Sequence, residues 1–400
     1  MPSEGAASRP VPASASAADI MRAYRARRNA RRTPVLSRYR VMGFLNSGTY
    51  GRVYKAQELV PRGSWVREPR VYAIKKFKPD REGHAALYTG ISQSAVREIA
   101  LNRELRHVNV VWLREVLLEE NAIFLVYEYV EHDFLQIIHH HLTVLRTPIR
   151  GAMIKSLLWQ VLNGVQYLHE NWIMHRDLKP ANILITAHGV VKIGDLGLAR
   201  VYCGPLVSLH TSDMVVVTIW YRAPELLLGA RHYSPAIDLW AVGCIWGELI
   251  ALRPMFKGEE IRMSSKVKTV PLQTNQLGKI VDILGTPTRE RWPLIEALPD
   301  YAAWQALRRD DAVPKTLYQW YTNRAGTSAG YDLLDKLLQY DPARRLTAAQ
   351  ALRHPWFAEE PLPTANAFAA CPNGVSPYPP GKVGVSDTHP IVSERARRAL

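Results

Sequence analysis

Cysteine is nearly absent. Three stand in 400 residues, Cys203, Cys244 and Cys371. They are too few and too scattered for a disulfide framework or a zinc cluster, so a reducing compartment is expected. Long apolar runs are also missing: nothing approaches the roughly 18 consecutive residues that span a bilayer. The N-terminal stretch has Ser, Ala and Arg but no apolar segment of the kind that directs secretion. Acidic residues are scarce there as well. Residues 1–40 hold nine Arg against Glu4 and Asp19, which places +7 of the chain's net +15 in one arm. No internal repeat is visible.

What remains is ordinary globular material, 47% hydrophobic and 22% charged, long enough for two lobes with their own cores. Residues 1–18 are rich in Ala, Ser and Pro, a composition that favours disorder. From Ala18 to about Arg32 the spacing predicts a basic helix stopped by Pro34. Its RAYRARRNARR run (22–32) reads as a nuclear address, a nucleic-acid or acidic-partner contact, or a solvated tail. Residues 155–172 and 237–252 are apolar on more than one face and read as buried core helices. Asp238, inside the second, would be expensive to bury alone and is expected to accept hydrogen bonds from nearby backbone. Residues 359–400 hold seven prolines and read as an extended tail.

Chemistry enters with three ordered motifs: HRDLKPAN (175–182), DLG (195–197) and APE (223–225). Phosphoryl transfer needs a group to place a hydroxyl, ligands for a metal, and charge against phosphate. Asp177 would accept the hydroxyl proton. Asn182 and Asp195 offer the hard oxygen ligands that Mg²⁺ prefers. Upstream, LNSGTYGRVYKA (45–56) is a glycine-rich turn between two strand-like segments. Gly48 and Gly51 allow close backbone approach to phosphates, and Leu45, Asn46, Ser47, Thr49, Tyr50, Arg52 and Val53 complete the loop. Asn46 stands where the G-x-G-x-x-G-x-V pattern has its first glycine, and Asn tolerates the turn better than most residues. VYAIKKFK then supplies Ala73 and Lys75. Lys75 would hold phosphate oxygens and pair with Glu98 on a helix over 91–105.

With these residues in view, the segment from about 39 to 357 resembles the eukaryotic protein kinases, in their cyclin-dependent group. Lys179, two residues after Asp177, matches the serine/threonine pattern, and residues 215–245 look like the proline-directed branch. SQSAVREIA (92–100), EHDF (131–134), LLGARHY (227–233) and EEPLPT (359–364) are similar to the cyclin-dependent kinase 8 family, the Mediator-complex kinases, in its fungal form. The resemblance implies an α+β fold of two lobes. The small β-rich lobe would cover about 39–130 and the helical lobe about 131–357, between a basic arm (1–38) and a proline-rich tail (358–400).

It further implies ATP and Mg²⁺, with Asp177 and Lys179 catalytic, the backbone of Glu128 and Val130 at the adenine edge, and Asp133 near the ribose. The implied partners are a cyclin C-type cyclin beside the 91–105 helix and the basic arm, and the Mediator kinase-module subunits. The implied substrates are the RNA polymerase II C-terminal repeats and transcription factors, in the nucleus. No membrane contact and no direct nucleic-acid binding are expected. A cell-cycle-type cyclin-dependent kinase with another cyclin is the alternative.

The activation segment adds a physical argument. Where many cyclin-dependent kinases carry a threonine five residues before Thr218, this chain has Asp213. Arg97, Arg176 and Arg200 would gather there and need anionic company. Asp213 is expected to supply part of it constitutively, with phosphorylation of Thr211 or Ser212 as the competing expectation.

Overall fold

The computed structural model describes residues 16–30, 34–47, 51–60, 69–77, 93–119, 122–202, 218–261, 271–307, 312–325, 327–381 and 383–384. These fall into two compact units. The first holds residues up to 92, 113–129 and 383 onward; the second holds 93–112 and 130–382. The 91–105 helix therefore groups with the second unit rather than with the strands that flank it in sequence.

The first unit is built on five antiparallel strands: β1 (Tyr39–Ser47), β2 (Gly51–Glu58), β3 (Val71–Phe77), β4 (Leu113–Glu119) and β5 (Ala122–Glu128). Their order is β1-β2-β3-β5-β4. Strand alternation sets which face each side chain takes. On β3, Tyr72 and Ile74 are buried with Tyr39, Tyr54, Ala56, Phe124 and Val126 in one apolar cluster. Ala73 and Lys75 consequently fall on the other face. The basic helix α1 (Ala17–Ala30) precedes the sheet and leaves Ile20, Met21 and Tyr24 exposed.

The second unit is helical. Its elements include α2 (Gln93–Glu104), α3 (Phe134–His140), α4 (Gly151–Glu170) and α5 (Ala236–Ala251). Helices α4 and α5 are apolar around most of their circumference, so each sinks into the core. Leu157, Leu158, Val161, Leu239, Trp240, Val242 and Ile245 are all 1% exposed or less. Glu225 of the APE motif is buried nearby and is met by both terminal nitrogens of Arg345, each at 2.6 Å. The remaining donors of Arg345 go to the carbonyls of Gln339, Tyr340 and Ala236, so the buried pair is fully satisfied. No described helix is long and apolar enough to cross a membrane.

One expectation is corrected here. Residues 359–381 are not an extended tail but pack on the second unit. Lys155 Nζ donates to the Glu359 carbonyl (2.9 Å), Thr364 N to Ser156 Oγ (3.0 Å), and Ala367 N to the Gly189 carbonyl (3.0 Å). Phe368 is fully buried and Tyr378 nearly so. The prolines suppress helix and strand periodicity, so apolar anchors at irregular spacing escape a periodicity reading. Beyond them, Gly384 exchanges two backbone hydrogen bonds with Phe44 of β1, at 3.1 and 2.8 Å.

Candidate active site

The second unit carries a catalytic loop tied down from below by one carboxylate. Asp238 sits near the start of α5, 1% exposed. Its Oδ2 accepts from the backbone N–H of His175 (2.9 Å) and lies 2.9 Å from His169 Nε2. Its Oδ1 accepts from the backbone N–H of Arg176 (2.9 Å). Burial alone would raise its pKa, but the His169 hydrogen bond and charge and the backbone donors hold it below the ordinary value. The backbone bonds from the catalytic loop are those that burying this Asp requires. They hold Arg176 at a φ of 70°, a left-handed conformation a non-glycine residue adopts only when its surroundings compel it.

Above that anchor, His175 is fully buried and its tautomer follows from its partners. The backbone N–H of Asp177 can only donate, so His175 Nδ1 accepts it (3.2 Å). Nε2 then carries the proton and donates to the Gly194 carbonyl at 2.9 Å. The imidazole thereby links the HRD loop to the strand that leads into DLG. Gly194 N donates to the Asn182 carbonyl (2.9 Å), closing a second link between the same segments.

Asp177, Lys179 and Asn182 come together. Lys179 Nζ lies 2.7 Å from Asp177 Oδ2. The Asn182 amide donates to the Asp177 carbonyl (2.8 Å) and to Oδ2 (3.0 Å). Both Asn182 N–H donors therefore point at Asp177, which turns the side-chain oxygen the other way, as a metal ligand needs. Asp177 Oδ1 is buried and has no hydrogen-bond partner among the described residues. Unsatisfied buried acceptors are rare, and this one belongs to the side chain that would receive a hydroxyl proton. Asp195 follows at a φ of 59°, its carboxylate exposed. Arg97 and Arg176 converge on the next turn, donating to the carbonyls of Gly197 (3.0 Å) and Leu198 (3.2 Å). Arg200 lies on a short strand paired with Ile173–Met174. Asp213, Thr211 and Ser212 lie outside the described residues. Glu98 is 1% exposed on α2, one residue from Arg97. Asp133 caps α3, its Oδ1 accepting from Gln136 N at 2.7 Å, and burial pushes its pKa up to about 6. Val130 precedes it.

The first unit holds the other expected residues. Leu45, Asn46 and Ser47 end β1, with Asn46 opposite Val53 and Ser47 opposite Arg52. Asn46 Oδ1 accepts from the N–H of Ser47 (2.7 Å), so its side chain folds onto its own turn. Gly48, Thr49 and Tyr50 lie outside the described residues. Gly51 packs so close to β3 that a Cβ would stand 2.6 Å from the Lys76 carbonyl, which leaves glycine as the residue that fits. Lys75 pairs with Val53 and Leu125 across the sheet, and Glu128 ends β5 opposite Tyr72.

Sequence reasoning missed two features. Gly194 has no motif letter of its own, yet its carbonyl fixes the His175 tautomer. Trp172 is 60% exposed at a φ of 59°. It joins Leu101, Glu104, Leu105, Asn171, Ile173 and Val201 around a groove of about 700 Å³. An apolar WI pair just before the HRD loop was the only signal of it.

Residues 39–357 match the protein kinase domain family. The chain is 49% identical to the serine/threonine-protein kinase SSN3 of Mycosarcoma maydis, covering 96% of this chain and 68% of that one. It is 52% identical to the SSN3 kinase of Yarrowia lipolytica, covering 92% and 88%. Among solved structures it is similar to the yeast RNA Pol II CTD kinase CTDK-1 complex, with 29% identity, a TM-score of 0.68, and coverage of 84% and 96%. The motifs, the five-stranded and helical units, and these relatives agree: the chain belongs to the protein kinases, as a serine/threonine kinase of the cyclin-dependent kinase 8 family.

Proposed function

We propose that this kinase is cyclin-dependent and acts in the nucleus within Mediator, on RNA polymerase II C-terminal repeats and transcription factors. The observation that carries the chemical part is the buried Oδ1 of Asp177, which has no partner among the described residues. In this reading Asp177 takes the proton of the substrate hydroxyl. Lys179, 2.7 Å from the other carboxylate oxygen, holds Asp177 in place. Asn182 and Asp195 would hold Mg²⁺, which when bound would supply charge neutralisation for the phosphates of ATP. Lys75 would hold phosphate oxygens. The close fit of Gly51 on β3 brings backbone up to them, while Glu128 and Val130 present backbone groups to adenine and Asp133 faces the ribose.

The partner part rests on apolar surface. The groove of Trp172, Val201 and Leu101 lies at the C-terminal end of α2, and Val96 nearer the start of that helix is 52% exposed. Helix α1 presents Ile20, Met21 and Tyr24 among arginines. Exposed apolar patches of this kind mark docking sites, and a cyclin C-type cyclin is the occupant this reading names. The basic arm serves as the nuclear address.

Two experiments test the reading. Asp177→Ala should abolish transfer while ATP binding and cyclin binding stay within about twofold; retained transfer would refute the assigned base. Coexpression with a panel of cyclins should recover a cyclin C-type subunit, and Trp172→Glu should release it. Preferential recovery of a cell-cycle cyclin would overturn the Mediator assignment.

A further inference from the structure

Between Ser376 and Gly381 the chain is held on the second unit mainly by one aromatic side chain. Tyr378 is 8% exposed. Its ring meets His132, His140, His141 and Phe368 edge-on, with centroids 6.1, 5.6, 5.7 and 5.7 Å away. Its hydroxyl lies 2.9 Å from His141 Nε2 and 3.5 Å from Met153 Sδ. His141 Nδ1 lies 2.8 Å from the Thr147 carbonyl, which can only accept. The proton is therefore on Nδ1, and Nε2 accepts from the tyrosine hydroxyl. The pocket is a receiver for a phenol, with an acceptor at the floor and imidazole edges around the ring.

The flanking backbone is tied far more loosely. Pro377, Pro379 and Pro380 have no N–H to donate. The Tyr378 N–H is spent within the segment, on Ser376 Oγ at 3.1 Å. Among the described residues, one backbone hydrogen bond joins 376–381 to the rest of the unit, from Ser376 N to the Ala187 carbonyl at 2.7 Å. All three prolines are exposed. An aromatic anchor between prolines, with little main-chain bonding, suits a docking segment: the prolines lower the entropy lost on binding and the few bonds allow exchange.

We infer that this pocket is a docking site for Ser-Pro-Tyr-Pro segments of a partner protein, filled in cis by residues 376–380. The site lies on the second unit outside the catalytic loop, and its occupation does not require the chemistry or partners proposed above. Tethering gives the cis segment an effective concentration in the millimolar range, so the intact chain should bind a free segment only weakly.

Fluorescence anisotropy without nucleotide tests this on the full chain. The probe is a fluorescein-labelled tandem Ser-Pro-Tyr-Pro repeat peptide; a labelled copy of residues 372–384 is the reference. Tyr378→Ala should bind the repeat at least about tenfold more tightly than the intact chain, the cis competitor being removed. Adding His141→Leu, or replacing the peptide tyrosines by phenylalanine, should weaken that binding about five- to tenfold, the effect of one hydrogen bond. The phenylalanine peptide gives the same contrast on unaltered protein, should His141→Leu disturb folding. No binding of the repeat to Tyr378→Ala overturns the inference, as does binding indifferent to both changes. Binding of the 372–384 copy alone, or concentration-dependent dimers formed by tail exchange, would mark a latch private to this chain and equally overturn it.

Discussion

The catalytic loop and the docked tail are both irregular segments held on the same helical unit, but by opposite means. In the loop, one carboxylate fixes two successive backbone N–H groups, and an imidazole of determined tautomer bridges to the DLG strand. Removing any one of these leaves a buried group exposed to the full penalty of an unmade bond. Residues 376–381 hang on a phenol in a histidine-lined pocket and, among the described residues, a single backbone bond to the rest of the unit. Rigidity in the first region comes from the redundancy of polar ties. The second has little of it, and its prolines limit how much it can acquire.

The comparison breaks most visibly through the buried pair beneath the loop. Arg345→Met strands the Glu225 carboxylate and should destabilise the chain by about 3–5 kcal/mol, read as a shift in urea midpoint. Adding Glu225→Met should recover much of that loss. Asp238→Asn comes next. One of its oxygens becomes an NH₂ facing a backbone N–H, and about 2–3 kcal/mol should be lost. Phosphoryl transfer should fall more steeply than nucleotide binding, because the loop that aims Asp177 loosens.

The third change is stabilising. Burial raises the Asp133 carboxyl to about 6 in the fold, against about 3.9 unfolded. The folded state thus binds its proton more tightly, and stability declines as pH rises from about 4 to 6. Asp133→Asn keeps the helix cap and removes the charge. It should raise the melting temperature at pH 7.5, by the equivalent of about 1–2 kcal/mol, with the gain shrinking toward pH 4. An equal gain at both pH values would show that the charge is not the cause. Tyr378→Phe is the smallest, about 1 kcal/mol. It should quicken amide exchange across 374–381 and leave kcat unchanged.

Most of the site was legible because phosphoryl transfer constrains residue type and spacing together. Asp177, Lys179 and Asn182 come from one turn, so their proximity follows from sequence spacing. The satisfaction of Asp238 was legible for a different reason, since a carboxylate inside an apolar helix has to find donors. The tail was not legible. Tyr378 and His141 are 237 positions apart, and prolines erase the periodicity that marks buried residues elsewhere. The groove beside Trp172 was hidden similarly, assembled from three short segments that carry no pattern individually.

The bridge between Gly384 and Phe44 bears on solubility. Strand β1 is one of the two outer strands of its sheet, and an outer strand offers unpaired backbone groups to any extended chain it meets. Both polar groups of Phe44 are taken by Gly384, and Val383 lies so close to Gly43 that its methyl would stand 2.3 Å from an added Cβ. The chain's own C-terminal stretch thus acts as a guard against edge-to-edge aggregation. Gly43→Val, which evicts Val383 without shortening the protein, should raise light scattering at concentrations where the unaltered protein stays monodisperse.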